Sequence, residues 1–254
     1  MYSMRKILIL FPLLLLMTGA FSQSLKYRKA PAFKAGEELK YRLRYGFITA
    51  AEGTLNVLDS DVKFNGHPVY HLLVQGRTSA SFNLFYKVRN RYDSYIDRTT
   101  LLPYLYTENI REANYRRQDK VRFNQTANTV TGKKGTFAGR DMTFDLVSSF
   151  YFARSLDLSG IRVGTEFTIP YFLNDEVSEL QITYVGKERI KTAIGTFNCL
   201  KFNPSIKPGR IFKDDSKLYL WITDDGNRIP VKAQVEILVG SVTLEVTAVK
   251  GLLH

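Results

Sequence analysis

Glu37-Glu38-Leu39-Lys40-Tyr41-Arg42-Leu43-Arg44-Tyr45 alternates strictly from Glu38 onward. Leu39, Tyr41, Leu43 and Tyr45 point one way, and Glu38, Lys40, Arg42 and Arg44 point the other. Side chains alternate across a strand, so this stretch has one buried face and one wet face. That is the pattern of an antiparallel sheet with a single covered side.

The same period recurs along the chain. Thr54 to Leu58 continues after a link containing Gly46 and Gly53. Asn65-Gly66 is a hairpin signal, because both residues tolerate positive φ, and Pro68 to Arg77 is the expected return strand. Tyr86 to Asp97, Leu102 to Glu112 and Tyr115 to Asn124 alternate again. Later strands are expected at Glu166 to Leu173, Glu179 to Lys187, Thr196 to Phe202, Lys217 to Thr223, Ile229 to Leu238 and Ser241 to Val249. Thr129 to Arg140, polar and rich in Gly and Lys, reads as a turn or loop. About a dozen strands at this spacing imply a mainly β protein: a large curved antiparallel sheet, sandwich or open barrel.

The period changes once. Phe144 to Leu158 carries apolar residues at Leu146, Val147, Phe150, Tyr151 and Ala153, with Asp145 near the start and Gly160 after the end. This predicts one helix of about three turns, packed by its aromatic stripe against the sheet. No low-complexity linker divides the chain, so residues 23–254 read as one all-β domain with its only natural seam near 140–160.

The first 22 residues read differently. Arg5 and Lys6 precede the apolar run Ile7 to Met17, and Ala20-Phe21-Ser22 fits a small-x-small cleavage site. The run is shorter than the ~20 residues that cross a bilayer. A cleavable signal peptide over 1–22 is therefore expected, with a periplasmic or otherwise exported mature protein that has no transmembrane segment. The single cysteine, Cys199, excludes an intramolecular disulfide and reads as a small buried hydrophobe.

The chain holds 36 Lys and Arg against 24 Asp and Glu, a formal charge of +12. Losing Arg5 and Lys6 leaves about +10 by the same count. A basic exported protein is drawn to lipid head groups, lipopolysaccharide phosphates and acidic glycans, and nucleic acid is not an expected partner. Lys87, Arg89 and Arg91 share one face of a strand, and Arg116, Lys120 and Arg122 share one face of another. They read either as a solvated surface or as a basic strip spaced at ~7 Å along each strand. Arg89, Arg91, Lys120 and Arg122, with Tyr92 and Phe123 as apolar neighbours, are the candidate ligand-binding residues.

No motif points to catalysis. The sequence has no Gly-x-Ser-x-Gly, no His-Glu-x-x-His and no phosphate-cradling glycine loop. His67 and His71 lie on a predicted strand, about 13 Å apart, too far to chelate one ion. Asp224-Asp225 precedes Gly226 and suits a tight turn. No catalytic residue, metal or cofactor is assigned.

Three stretches carry a resemblance. They are Phe33-Lys34-Ala35-Gly36-Glu37-Glu38-Leu39-Lys40-Tyr41, then Asp145-Leu146-Val147-Ser148-Ser149-Phe150-Tyr151-Phe152-Ala153-Arg154, then Gly195-Thr196-Phe197. Leu220-Trp221-Ile222-Thr223-Asp224-Asp225 and Ile229-Pro230-Val231 follow the third. In order and spacing the chain resembles the exported family catalogued as domain of unknown function 3108. The resemblance implies a bacterial envelope protein, often from the Bacteroidetes, with an antiparallel β fold and no established catalytic residues. More distantly, a curved sheet holding a helix is similar to periplasmic carriers of the LolA and LolB type.

Two functional expectations follow. One is a non-enzymatic envelope binding protein that holds an apolar or anionic lipid-like ligand on the curved sheet. The other is a structural or interaction protein of the periplasm whose core is filled by its own side chains. A hydrolase acting on envelope polymers is a third and weaker alternative. A solvent-open apolar cavity separates the first from the second.

Overall fold

In the computed structural model, which describes residues 30–205, 217–237 and 240–254, the alternating stretch is the first strand of a fifteen-stranded antiparallel sheet. The signal peptide expected over residues 1–22 lies outside the described residues. The strands are β1 (Glu38–Tyr45), β2 (Ile48–Leu58), β3 (Lys63–Phe64), β4 (His67–Thr78), β5 (Arg89–Asp97), β6 (Pro103–Glu112), β7 (Tyr115–Asn124) and β8 (Thr129–Gly132). They continue as β9 (Gly135–Ala138), β10 (Glu166–Leu173), β11 (Glu176–Thr192), β12 (Gly195–Pro204), β13 (Leu218–Thr223), β14 (Pro230–Glu236) and β15 (Ser241–Lys250). One helix, α1 (Leu146–Arg154), lies between β9 and β10.

The sheet is a meander with one long-range pairing. Its order runs from β10 through β15, then β1, β2 and β4 to β9, with β3 paired to β4. The first strand pairs with the last, Leu39 opposite Val249 and Tyr41 opposite Val246. The open edges are therefore β9 and β10, the strands that flank the helix segment, and the sheet is not closed into a barrel. Part of that seam is capped. Phe144 donates its amide to the Pro170 carbonyl at 3.0 Å and accepts from the Phe172 amide at 2.8 Å, pairing with one edge of β10. An edge strand presents unpaired backbone groups, and this short bridge satisfies two of them.

Helix α1 starts where a cap permits it. The Asp145 carboxylate accepts from the amides of Val147 at 2.8 Å and Ser148 at 2.9 Å, and the Ser148 hydroxyl accepts from the Asp145 amide at 2.9 Å. This reciprocal capping box satisfies orphan donors that burial would otherwise leave stranded. The helix is shorter than the expected Phe144 to Leu158, because Phe144 is used on the β10 edge and Ser155 ends the last turn.

The helix faces the inside of the curved sheet. Tyr151 and Phe152 are fully buried and join Val57, Leu72, Ile96, Tyr106, Val121 and Phe123 from one half of the sheet. Phe167, Ile182, Tyr184, Leu200, Phe202 and Ile222 meet them from the other half. A second apolar cluster gathers Leu39, Tyr41, Ile190, Cys199, Trp221, Ile229, Val231 and Val246. Arg154 lies among these groups, also fully buried, and pairs with Glu37.

Two expected segments differ. Thr129 to Arg140 is not a loop but the β8–β9 hairpin, in which Val130 and Phe137 pack inward and the Lys133-Lys134 turn is exposed. The strand expected from Tyr86 begins only at Arg89, because Phe82–Leu84 forms a 3-10 turn that leads into an exposed loop.

Candidate functional site

The interior offers little room. The apolar cleft beside α1, lined by Phe150, Ala153, Leu158, Phe167, Phe202 and Leu220, measures about 40 Å³. That is about the volume of one water molecule in the liquid. Tyr151, Phe152 and Phe144 occupy the centre that an acyl chain would need.

The larger concavity lies on the opposite face. Cross-strand partners point to the same side of a sheet, so the register reads out which side chains meet. One row runs Arg42, Glu52, Arg77, Arg89 across β1, β2, β4 and β5. A second runs Lys40, Thr54, Gln75, Arg91, Asn109 and reaches β6. Each of these residues alternates with one that packs inward, such as Tyr41, Leu55, Val74 and Tyr92, so both rows face away from α1. Between them run the backbones of Gly53 and Gly76, directly opposed. Together with Arg111 and Thr247 these residues line a trough of about 740 Å³. A neighbouring hollow of about 570 Å³ shares Arg91 and Asn109 and extends to Lys120 and Lys133.

The trough is strongly cationic. Lys40, Arg42, Arg77, Arg89, Arg91 and Arg111 line it against one lining carboxylate, Glu52. Some of that charge is neutralised locally. Arg77 bonds Glu52 at 3.1 Å, and Lys40 lies 3.3 Å from Glu38. Arg91 clasps Asp93 through Nε at 2.8 Å and Nη2 at 2.7 Å. Arg111 donates to the Asn109 amide oxygen and Arg89 to a backbone carbonyl. Among the described residues, no carboxylate lies within ion-pair distance of Arg42, Arg89 or Arg111.

The side of the trough is stiffened by a small polar stack. His71 Nε2 lies 2.7 Å from Asp93 Oδ1, and its ring stacks on Tyr95 with centroids 4.5 Å apart. Burial by itself raises the Asp93 pKa, but the bonds from His71 and Arg91 overcome it and hold the carboxyl at about 2. Asp93 thus remains an anion that fixes the Arg91 side chain.

The predicted site residues are only partly brought together. Arg89 and Arg91 both line the trough. Lys120 lines the adjoining hollow, across Thr107 from Asp93. Arg122 is exposed on the same face, across Leu105 from Tyr95, and lines neither cavity. Tyr92 and Phe123 lie on the other face, turned to the interior, where Phe123 is buried in the core. Arg42, Arg77 and Arg111 were not singled out from sequence. Arg42 stands in the polar half of the opening alternation, but its cross-strand neighbours are not visible in one sequence.

The remaining candidates resolve into structural roles. His67 faces Asp97 at 3.4 Å while His71 faces Asp93. Among the described residues, no group of three or more His, Cys, Asp or Glu is placed to hold a metal ion. Asp225 accepts from the Thr223 hydroxyl and the Asn227 and Arg228 amides, as a turn residue does. Burial pushes the Cys199 thiol up to about 12, with nearby carboxylates adding to the shift.

Comparison with known proteins agrees with this architecture. A model of a protein family of unknown function, DUF3108, matches residues 40–247. No curated protein matches the chain. Among solved structures, a β-barrel-like DUF1849 protein from Brucella abortus is similar at TM-score 0.53 and 9% identity, covering 88% of this chain and 98% of its own. A protein from Bacteroides fragilis, described as exported with a YmcC-like fold, has TM-score 0.39 and 10% identity, covering 89% of this chain and 100% of its own. The first likeness is one of fold alone. Among the described residues, no helix is long and apolar enough to cross a membrane.

Proposed function

Since the chain belongs to the DUF3108 family of proteins of unknown function, membership assigns no activity, and we propose from the trough's chemistry that it is a non-enzymatic envelope protein binding an anionic saccharide. The carrying observation is the two-row trough, with three arginines lacking a carboxylate partner among the described residues. Arg is suited to this task, because its planar guanidinium meets phosphate or carboxylate with two parallel bonds. Thr54, Gln75, Asn109 and Thr247 stand among the cations and suit sugar hydroxyls. Adjacent strands lie ~4.8 Å apart, so the Arg77–Arg89 pair and the more distant Arg42 suit several charges along one ligand. Export to the envelope, where phosphorylated and acidic glycans are abundant, is part of the same reading.

The test is calorimetric titration with a phosphorylated lipopolysaccharide core oligosaccharide and with its dephosphorylated form. Binding of the first only, weakening with salt, supports the reading. Equal binding of both, or of neither, contradicts it. The second reading, a structural or interaction protein, is favoured by the filled interior around Tyr151 and Phe152. For an apolar ligand held inside the sheet, the cleft beside α1 offers about 40 Å³.

A further inference from the structure

The strands of a meander alternate in direction, so every second connection lies at the same end of the sheet. The β1–β2 turn, the loop between β4 and β5, and the β6–β7 turn are three such connections on successive hairpins. Hydrogen bonds tie them into one rim. Ser79 donates its amide to Ala50 and its hydroxyl to the Thr49 carbonyl, at 3.0 and 2.7 Å. Ala113 donates to the Lys87 carbonyl at 2.7 Å.

This rim presents six of the eleven large apolar side chains that are exposed among the described residues. Phe47 is 105% exposed, Leu84 86% and Phe85 84%, with Ile48, Tyr86 and Tyr115 beside them. Isolated exposed apolar residues are unremarkable, but six on three adjoining tips form a patch. The charge around it has one sign in excess. Lys87 and Arg89 follow the middle tip, and Arg111 and Arg116 flank the third; all four are exposed. Among the described residues, Arg116 bonds backbone carbonyls alone, of Ala113 and Tyr115. The flanking carboxylate Glu112 is half-buried and accepts from Asn90.

We propose that this rim docks on an anionic lipid bilayer, with Phe47, Leu84 and Phe85 entering the interface and the surrounding cations meeting head-group phosphates. Charge complementarity selects this occupant. A purely apolar partner would leave Lys87 and Arg116 unmatched, whereas an anionic bilayer offers apolar depth and negative charge in one plane. Tyr86 and Tyr115 combine an apolar ring with a polar tip, which suits the boundary between the two. The part of the trough lined by Arg89 and Arg111 lies beside this rim, yet the docking does not depend on any saccharide in the trough.

The experiment is co-flotation of the mature protein with vesicles of phosphatidylcholine alone and of phosphatidylcholine with phosphatidylglycerol, neither carrying saccharide. Binding to the anionic vesicles only is expected. Phe47→Ser/Phe85→Ser should reduce it at least tenfold, and Lys87→Ser/Arg116→Ser by roughly fivefold per cation removed. All four positions are exposed, and unchanged thermal unfolding verifies folding of each variant. No flotation with anionic vesicles overturns the proposal, and so does flotation that the Phe variant leaves intact. Self-association abolished by Phe47→Ser/Phe85→Ser, without flotation, assigns the rim to a second copy and also overturns it. Oligosaccharide titration of the same Phe variant reads the trough separately.

Discussion

The Arg154 guanidinium holds the Glu37 carboxylate by two parallel bonds of 2.6 and 2.8 Å, 117 residues apart in sequence and with neither side chain open to solvent. Two further N–H groups donate to the Asn227 and Arg228 carbonyls, at 2.9 and 3.2 Å, so four of the five are bonded. The end of α1 is thereby tied both to the segment that leads into β1 and to the β13–β14 turn. A buried ion pair has a desolvation cost, and these bidentate and carbonyl bonds offset it.

Removing one partner strands the other. Arg154→Met should destabilise the protein by roughly 3–5 kcal/mol, as a buried carboxylate loses its counter-charge. Arg154→Met combined with Glu37→Leu should recover most of that loss, since no buried charge remains. Urea unfolding at neutral pH measures both. A double variant no more stable than the single one would show that the pair contributes by packing and backbone bonding, not by charge compensation.

The Asp145 cap has its own signature. Asp145→Ala removes the acceptor for two helix amides and for the Ser94 hydroxyl at 2.7 Å. A loss of about 1–2 kcal/mol is expected, with Asp145→Asn retaining most of the stability because an amide oxygen also caps. Equal losses in the two variants would mean that the charge at Asp145, rather than the hydrogen bonds, starts the helix.

At Asp93 the sign is fixed by the direction of the shift. Its folded pKa of about 2 lies below the ordinary 3.8, so the stabilisation is fully present above pH ~4 and is lost as pH falls through 2. Carbon-detected NMR titration of the carboxyl should show this midpoint, and Arg91→Gln should move it upward. A wild-type midpoint near 4 would mean that the His71 and Arg91 bonds do not form in solution.

Cys199 should be silent. It is 1% exposed and its thiol is pushed up to about 12, so a thiol reagent at pH 8 should label the denatured chain and not the native one. Rapid labelling of native protein would place the β11–β12 hairpin in a more open arrangement.

Much of the sheet was legible because alternation is a local property. Glu166 to Leu173 and Tyr115 to Asn124 carry their own pattern and fold where expected. The β8–β9 hairpin was missed because only Val130 and Phe137 pack inward, leaving too few apolar residues to show a period. The length of β11 was missed for a different reason. Gly186, at φ 142°, and a register shift after Tyr184 carry the strand to Thr192, past the point where the alternation breaks. Parity alone does place Tyr92 opposite Arg91, so the separation of the expected aromatic and basic residues onto two faces was available from the sequence. Which cations meet across strands was not. The pairing of Arg77 with Arg89 and of Arg42 with Glu52 depends on register, and register depends on turns and bulges elsewhere.

The most direct measurement compares two variants in the titration with phosphorylated oligosaccharide. Arg42→Ser/Arg89→Ser/Arg111→Ser removes trough cations that lack a carboxylate partner among the described residues, while Arg122→Ser removes an exposed cation on the same face outside both hollows. Binding in the trough predicts that the triple variant loses at least tenfold in affinity and most of its salt dependence, and that Arg122→Ser stays within twofold of the native protein. Equal losses per charge removed in the two variants would reduce the effect to overall positive charge, and an unaffected triple variant would contradict the trough as the binding site.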